Sequence, residues 1–553
     1  MKKSPNKISS KKNIDLKIER QALLDRFFLM EYVLVVLIIG IFFLLRKNFV
    51  GIPMERDEGS YVMYGKWLID GGKPYLDFYE MKPPGIFLVY GFMVKFFGYD
   101  YMNLQTGFCY LNSLTLLFSY LFFKKIFERN TAMAILPVYG FLLLNPYICG
   151  FTIQAEFVVL FFVMLGMLIL FEGKKRSNSL LIMFSGICLG FSILIKQNGI
   201  FYCLFGGLFF LIEWWNNRKT RKLIFEFSSY IVGILVPFAF IFFWLNSQGL
   251  IQDTLFWIVE FPRKYYLNSS LSFGDVLKTL TGWSKGIINT HPLFWFIALV
   301  GIVCGFFLKN LKEKKLLAYT FIFFSALTIF PGLRFYNHYW ILFMPGIAIS
   351  ICFAYHFLQQ ITSKIKLLKQ LTTILFFVIP IAHFGSSFSY YLHPDFTEIL
   401  HQVYSNEPFP EAKVVGEYLK SIMKPEDKLF VAGTEPEIYL YTNTLGVTRH
   451  NGVYIISLKY PFAQKMRQEA IRNIETNTPR FIVIVNNPFS WMFESEIDNT
   501  FYNWIQKYAA EKYKIILLAN QINQVGDCDY ILEKDIPNYK GKGSQFITVW
   551  ELK

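Results

Sequence analysis

The sequence lacks a cysteine framework, an internal repeat and, in its polar C-terminal region, a Gly-rich phosphate loop. Of seven cysteines, six (Cys109, Cys149, Cys188, Cys203, Cys304, Cys352) lie in or beside apolar runs, and only Cys528 lies in the polar C-terminal region. That region therefore closes no internal disulfide. No Cys-x-x-Cys or mixed Cys/His spacing marks a metal site. The centres of the apolar runs carry no pairable charge network of the kind that marks an ion or proton pathway. With no repeat and no midplane pair, a transporter, the main alternative from another class, ranks well below a surface reaction. The first apolar run has no small-residue cleavage site and is followed by many more, so it reads as a retained helix.

What is present is apolar. The chain has 553 residues, 54% of them hydrophobic, with 61 phenylalanines and a mean hydropathy of +0.36. Runs long enough to cross a hydrocarbon core recur from Phe28 to about Tyr390, which defines a polytopic α-helical membrane protein. The net charge of +15 sits in an N-terminal tail (1–28) and in short connectors such as Lys124/Lys125/Arg129 and Lys174/Lys175/Arg176. Clusters between apolar runs are what the positive-inside rule places in the cytoplasm, and they exclude a nucleic-acid partner as the reason for the charge.

This rule orients the rest. A first helix near 29–46 leaves the cytoplasm and delivers a polar loop, 47–84, to the outer face. Helices are expected near 131–150, 151–171, 179–196, 197–215, 224–246, 291–308, 316–331, 338–359 and 370–389, with a long outer segment at 247–290. Between 85 and 123 two apolar runs occupy a place that needs an odd number of crossings. The first, "GIFLVYGFMVKFFG", is short and contains Lys95, which suits an interfacial helix. The transmembrane region then spans 29–390 with about 11 to 13 helices. After it, 391–553 alternates strand-like segments ("DKLFVAG", "RFIVIVNN", "KIILLAN", "QFITVWELK") with helical ones ("EAKVVGEYLKSIM", "NTFYNWIQKYAAEKY"), predicting an extracytoplasmic α/β domain.

This topology gathers Asp57, Glu58, Lys82, Glu156, Lys196, Arg334 and His338 at outer helix ends. A carboxylate near the membrane sits in a reduced dielectric that raises its pKa towards general-base use, so Asp57 and Glu58 are the leading acid/base candidates. The bland alternative is a solvated loop pair. Lys82 precedes Pro83-Pro84, which hold it in an extended turn at a helix entrance. A lysine there suits a headgroup phosphate or a snorkelling anchor equally. Lys196, Arg334, Tyr336, Tyr339 and Trp340 each read alone as interfacial anchors, and His338 as a structural hydrogen-bonding residue.

The order Asp57-Glu58, then "GGKPYLDF", then "KPPG" resembles the first outer loop of the GT-C membrane glycosyltransferases. The likeness is to the branch with protein O-mannosyltransferases and lipid A aminoarabinose transferases (glycosyltransferase families 39 and 83). "ILIKQNGIF" and "GLRFYNHYWILFMPG" are similar to that family's second lysine turn and aromatic Arg/His turn. The resemblance implies inverting transfer of a sugar from a polyprenyl-phosphate carrier on the outer face of the cytoplasmic membrane. It implies that Asp57 positions or deprotonates the acceptor with Glu58 supporting it. Lys82, with Lys196 or Arg334, would hold the carrier phosphate, and Glu156, Tyr336 and His338 are possible supporting residues. No cofactor or metal is required by that scheme, although the related oligosaccharyltransferases use a divalent metal. The implied partners are the lipid-linked donor, membrane lipids and an acceptor that is a glycan, a lipid or a protein. A protein that binds the carrier lipid without catalysis is the remaining alternative.

Overall fold

The computed structural model describes residues 29–217, 220–266, 272–308, 311–491, 497–523 and 526–553. The basic tail expected at 1–28 lies outside the described residues. Helices in the first half are α1 (Leu29–Lys47), α2 (Arg56–Ile69), α3 (Gly85–Phe97), α4 (Tyr101–Ile126) and α5 (Arg129–Leu143). They continue as α6 (Ala155–Arg176), α7 (Ser179–Ile195), α8 (Ile200–Asn217) and α9 (Thr220–Ser247). Apolar helices Pro292–Phe307, Lys312–Leu327, Trp340–Ile361 and Lys366–Ser386 complete the helical region.

Among the described residues seven helices are long and apolar enough to cross a membrane, or eight if the bent pair Phe273–Thr290 and Pro292–Phe307 forms one span. The expected 11 to 13 also counts α5, α7 and Lys312–Leu327, which at 15, 17 and 16 residues fall short of that length. Part of the difference is a break the sequence concealed. The apolar stretch expected as helix 131–150 stops at Leu143, because Asn145 turns the chain by accepting from the Tyr147 amide, and Cys149 takes a left-handed φ of 61°. Arg46 at the end of α1 ties this connector down, donating to the carbonyls of Leu143 and Thr152. The segment 247–290 is largely helical, ending in Phe273–Thr290 behind a Ser272/Asp275 capping box.

α3 has only 13 residues, about 20 Å at the α-helical rise, against about 30 Å of hydrocarbon. It lies flat on α2 where two glycines face each other: a Cβ on Gly65 would meet the Gly91 amide nitrogen at 2.5 Å. Helices this close are held by continuous dispersion contact, and the absence of side chains at both positions is what permits it.

The two ends of the bundle differ in chemistry. At one end, buried Glu31 of α1 pairs with Lys124 and with Arg129 (3.0 Å), and Lys174 bridges Glu213 and Glu226. Lys124 and Lys174 sit in the last turns of α4 and α6, where the helix dipole favours a cation. At the other end lie α2, the 144–154 connector, the turn Gln197–Gly199, the loop 331–339 and the C-terminal domain.

That domain holds a five-stranded sheet of β1 (Leu429–Ala432), β2 (Phe481–Asn486), β3 (Tyr513–Gln521), β4 (Cys528–Leu532) and β5 (Gln545–Leu552), in the order β1-β2-β5-β3-β4. Only β1 and β2 are parallel, and they are buried throughout except at Asn486, as a parallel pair covered by helices should be. β5 enters antiparallel between β2 and β3, with a bulge at Ile515/Leu517. β4 had no counterpart in the sequence reading, since "CDYIL" lacks a clean apolar alternation. The carboxyl ends of β1 and β2 run into Gly433–Glu437 and Asn487–Ser490, where open α/β sheets place their working loops. The first of these loops packs against α2.

Candidate active site

The loop after α1 enters α2 through Glu55, whose carboxylate accepts from the Glu58 amide at 2.9 Å while Glu58 accepts from the Glu55 amide at 3.1 Å. This reciprocal capping satisfies two orphan donors of the first turn. Glu58 also accepts from the Ile153 amide, and Gln154 donates to Glu55 at 2.8 Å. The first turn of α2 is thus pinned to the 144–154 connector. Glu58 is buried, and burial, with the neighbouring Asp57 charge, pushes its carboxyl up to about 7 against its backbone hydrogen bonds.

Asp57 points the other way and stays 30% exposed. It accepts from the Tyr61 hydroxyl at 3.0 Å, one turn along the same helix, and Lys82 Nζ lies 3.8 Å from its Oδ2. Burial alone would raise its pKa, as the sequence reading expected. The structure reverses that: the positive charges of Lys82 and Lys196, with the Tyr61 hydroxyl, outweigh burial and hold the Asp57 carboxyl well below the usual range. The two adjacent acids are therefore driven in opposite directions by which side of α2 they occupy.

Lys82 is positioned by its own backbone, whose carbonyl accepts from the buried Tyr75 hydroxyl at 2.7 Å. Its ammonium also lies 3.9 Å from Glu80 and 5.6 Å from the Tyr61 ring centre. Burial raises the Glu80 carboxyl despite Lys82 nearby. Glu80 and Tyr61 were missed by the sequence reading. Tyr61 was findable, because i and i+4 share a helix face.

Glu156, Lys196 and His338, from three separate segments, form a second cluster. Lys196 closes α7 and is almost wholly buried, ion-paired to the fully buried Glu156 in the first turn of α6. His338 Nε2 lies 3.8 Å from the same Glu156 oxygen, and the Tyr339 ring sits 4.8 Å from Lys196 Nζ. Buried in this pair, Lys196 is not the independent interfacial anchor that it suggests alone.

Arg334 is half-buried in a strained loop: Gly332, Leu333 and Phe335 all have left-handed φ values (68°, 53° and 49°). Positive φ in Leu and Phe persists only where surrounding structure imposes it. Part of that support is the Trp340 indole, which donates to the Phe335 carbonyl at 3.3 Å. Tyr336 stacks on His338 with ring centres 5.7 Å apart. Among the described residues no cluster of three or more His, Cys, Asp or Glu could hold a metal ion.

Comparison with known proteins shows what this chain resembles. A sequence profile of the dolichyl-phosphate-mannose-protein mannosyltransferase family matches residues 60–250, a stretch that contains Lys82, Glu156 and Lys196. The fold is similar to ArnT from Cupriavidus metallidurans in the apo state, with a TM-score of 0.55 at 12% identity, over 94% of this chain and 97% of that one. It is similar also to ArnT bound to undecaprenyl phosphate, with a TM-score of 0.54 at 12% identity and the same coverage. An oligosaccharyltransferase from Archaeoglobus fulgidus, tethered to an acceptor peptide, aligns at a TM-score of 0.48 and 10% identity over 90% of this chain and 74% of that one. No curated protein matches by sequence. The chain shares the fold of ArnT, and its residues 60–250 match the profile of the dolichyl-phosphate-mannose-protein mannosyltransferase family.

Proposed function

We propose that the protein transfers a sugar, with inversion, from a polyprenyl-phosphate carrier to an acceptor hydroxyl at the extracytoplasmic surface of the cytoplasmic membrane. The observation that carries this reading is the Asp57–Lys82 pair. An ionised carboxylate and an ammonium lie 3.8 Å apart at the end of a helical bundle, one able to meet an acceptor, the other a phosphate. The binding of undecaprenyl phosphate by the similar ArnT supports a carrier of that class.

In the proposed step the acceptor oxygen attacks the anomeric carbon from the face opposite the phosphate. The carbon–oxygen bond to the phosphate breaks, and its electron pair leaves on the phosphate. Lys82, with Lys196 or Arg334, stabilises that developing charge. Asp57 accepts the hydroxyl proton late, once bond formation has made the oxygen strongly acidic, so a carboxylate with a lowered pKa suffices. Its ionised form also favours positive character at the anomeric carbon. Glu58 acts through the backbone, holding the first turn of α2 against Ile153. Glu156 holds Lys196 in place, with Tyr336 and His338 closing the side of the site.

The test is to incubate the purified protein in lipid nanodiscs with a panel of polyprenyl-phosphate sugars and measure release of the carrier phosphate. Release from one donor, abolished by Asp57→Asn, is the expected result. Carrier binding without release from any donor and acceptor would favour a non-catalytic carrier-binding protein.

A further inference from the structure

The C-terminal domain touches the first loop at both of its working ends. At the acid end Arg56, the residue before Asp57, reaches into the loop after β1. Its Nε donates to the Thr434 carbonyl at 2.8 Å, and its Nη2 lies 2.7 Å from Glu407 and 3.8 Å from Glu435. Two further contacts reinforce it: the Tyr441 hydroxyl accepts from the Met54 amide at 2.7 Å, and Lys413 Nζ donates to the Gly51 carbonyl at 2.9 Å. At the lysine end Arg449 donates to the Leu76 carbonyl at 2.7 Å, and its guanidinium lies 4.8 Å from the Tyr79 ring centre. Tyr79 is in turn stacked on Trp257 and lies against His450, at 4.5 and 5.1 Å between ring centres. Lys82 follows Tyr79 by three residues.

We propose that the C-terminal domain is a positioning element of the active site, with Arg56 and Arg449 as its two grips on the first loop, and that together they set the Asp57–Lys82 spacing. The inference rests on the reading of Asp57 and Lys82 given above. The two grips differ in what they govern. Arg56 fixes the first turn of α2 and so the direction of the Asp57 carboxylate. Arg449 fixes the turn that leads through Leu76 to Tyr79 and so the approach of Lys82 to a phosphate.

The Arg56 grip is selective for arginine. Its Nε and its Nη groups serve separate acceptors in one plane, which a lysine ammonium cannot reproduce. It also faces a surplus of acid. Glu407, Glu435 and Glu437 from the C-terminal domain all bear on the guanidinium. Both Glu437 carboxylate oxygens are buried with no hydrogen-bond partner among the described residues. The Arg449 grip is more exposed and is backed by Glu469 at 2.6 Å.

The test measures steady-state transfer by the full chain in nanodiscs, with the donor varied, alongside the thermal midpoint. Arg56→Ala is expected to lower kcat by about ten- to a hundred-fold, the scale of one lost charged hydrogen bond, with the donor KM nearly unchanged. Arg56→Lys should recover only part of that loss. Arg449→Ala is expected to raise the donor KM by about tenfold with a smaller effect on kcat. If Arg56→Ala does not fold, Arg56→Lys and Arg449→Ala decide the matter by the same split. Unchanged constants at either grip, or losses that only follow the thermal midpoint, would overturn the proposal. Full transfer by Asp57→Asn would instead sink the underlying reading of the site, whichever way the arginine variants behave.

Discussion

The backbone of Gly59 in α2 lies directly against that of Glu437 in the C-terminal domain: a Cβ at position 59 would stand 2.6 Å from the Glu437 amide nitrogen. Backbone cannot yield there as a flexible side chain would. Gly59→Val should therefore lever the two apart at a cost of about 1–3 kcal/mol, typical of overpacking. Limited proteolysis should cut the C-terminal domain faster in that variant, and transfer should fall. Wild-type proteolysis rates would show that the contact is loose.

Asp57→Asn should abolish transfer by about a hundred-fold or more, the scale of a lost general base, while the protein folds as before. The substitution removes the carboxylate that competes for Lys82, so affinity for a polyprenyl phosphate should hold or rise. Calorimetric titration with the carrier phosphate separates the two effects. A carrier affinity that collapses along with transfer would mean that Asp57 acts in binding.

Lys82→Ala should weaken binding of a polyprenyl-phosphate sugar by about ten- to a hundred-fold, the scale of a charged hydrogen bond, and affect acceptor binding less. Donor affinity measured directly is the check. An unchanged value would count against a phosphate contact at Lys82.

Lys196→Ala leaves the buried Glu156 without its cation, a loss of about 3–5 kcal/mol in stability. Replacing both as Glu156→Gln with Lys196→Met should restore most of the thermal midpoint without restoring transfer. Recovery of transfer in the double variant would reduce the pair to a structural role.

Two buried acids, Glu58 in the first turn of α2 and Glu435 in the C-terminal domain, give a signed pH dependence. Burial raises Glu58 and Glu435 from 4.5 to about 7 each, and the Arg56 charge only partly offsets this at Glu435. A carboxyl raised on folding binds its proton more tightly in the native state. The stability it contributes is complete below pH 4.5 and is lost as pH rises through about 7. Asp57 is lowered, so its contribution is present above its ordinary value of 3.8 and lost as pH falls below it. Thermal midpoints should thus decline between pH 5 and 7.5, and Glu58→Gln with Glu435→Gln should flatten the slope. A midpoint that climbs over this range would contradict the burial argument.

Much of the frame was legible because apolar length and alternation are local properties. The polytopic class, the alternating strands and helices after 390, and the lysine before Pro83-Pro84 all follow from neighbours in sequence. The break at Asn145 was not, since an apolar stretch reads alike whether it runs on as helix or turns back on itself. Nor was the opposite titration of Asp57 and Glu58. These neighbours are indistinguishable in sequence, and only a helix places one toward Lys82 and the other toward the Ile153 amide.

The sequence by itself determined that this chain lives in a membrane, that its polar groups gather at helix ends, and that an acid pair precedes a lysine turn in one loop. Hydrophobic burial and helix periodicity act over a few residues, so a linear reading captures them. Only the tertiary structure decided which of those groups meet. Lys196 finds Glu156 across two helices, and Arg56 of the first loop and Arg449 of the C-terminal domain each find partners hundreds of residues away. Such pairings depend on Coulomb and hydrogen-bond terms that act only within a few ångströms, and chain folding alone sets which groups come that close.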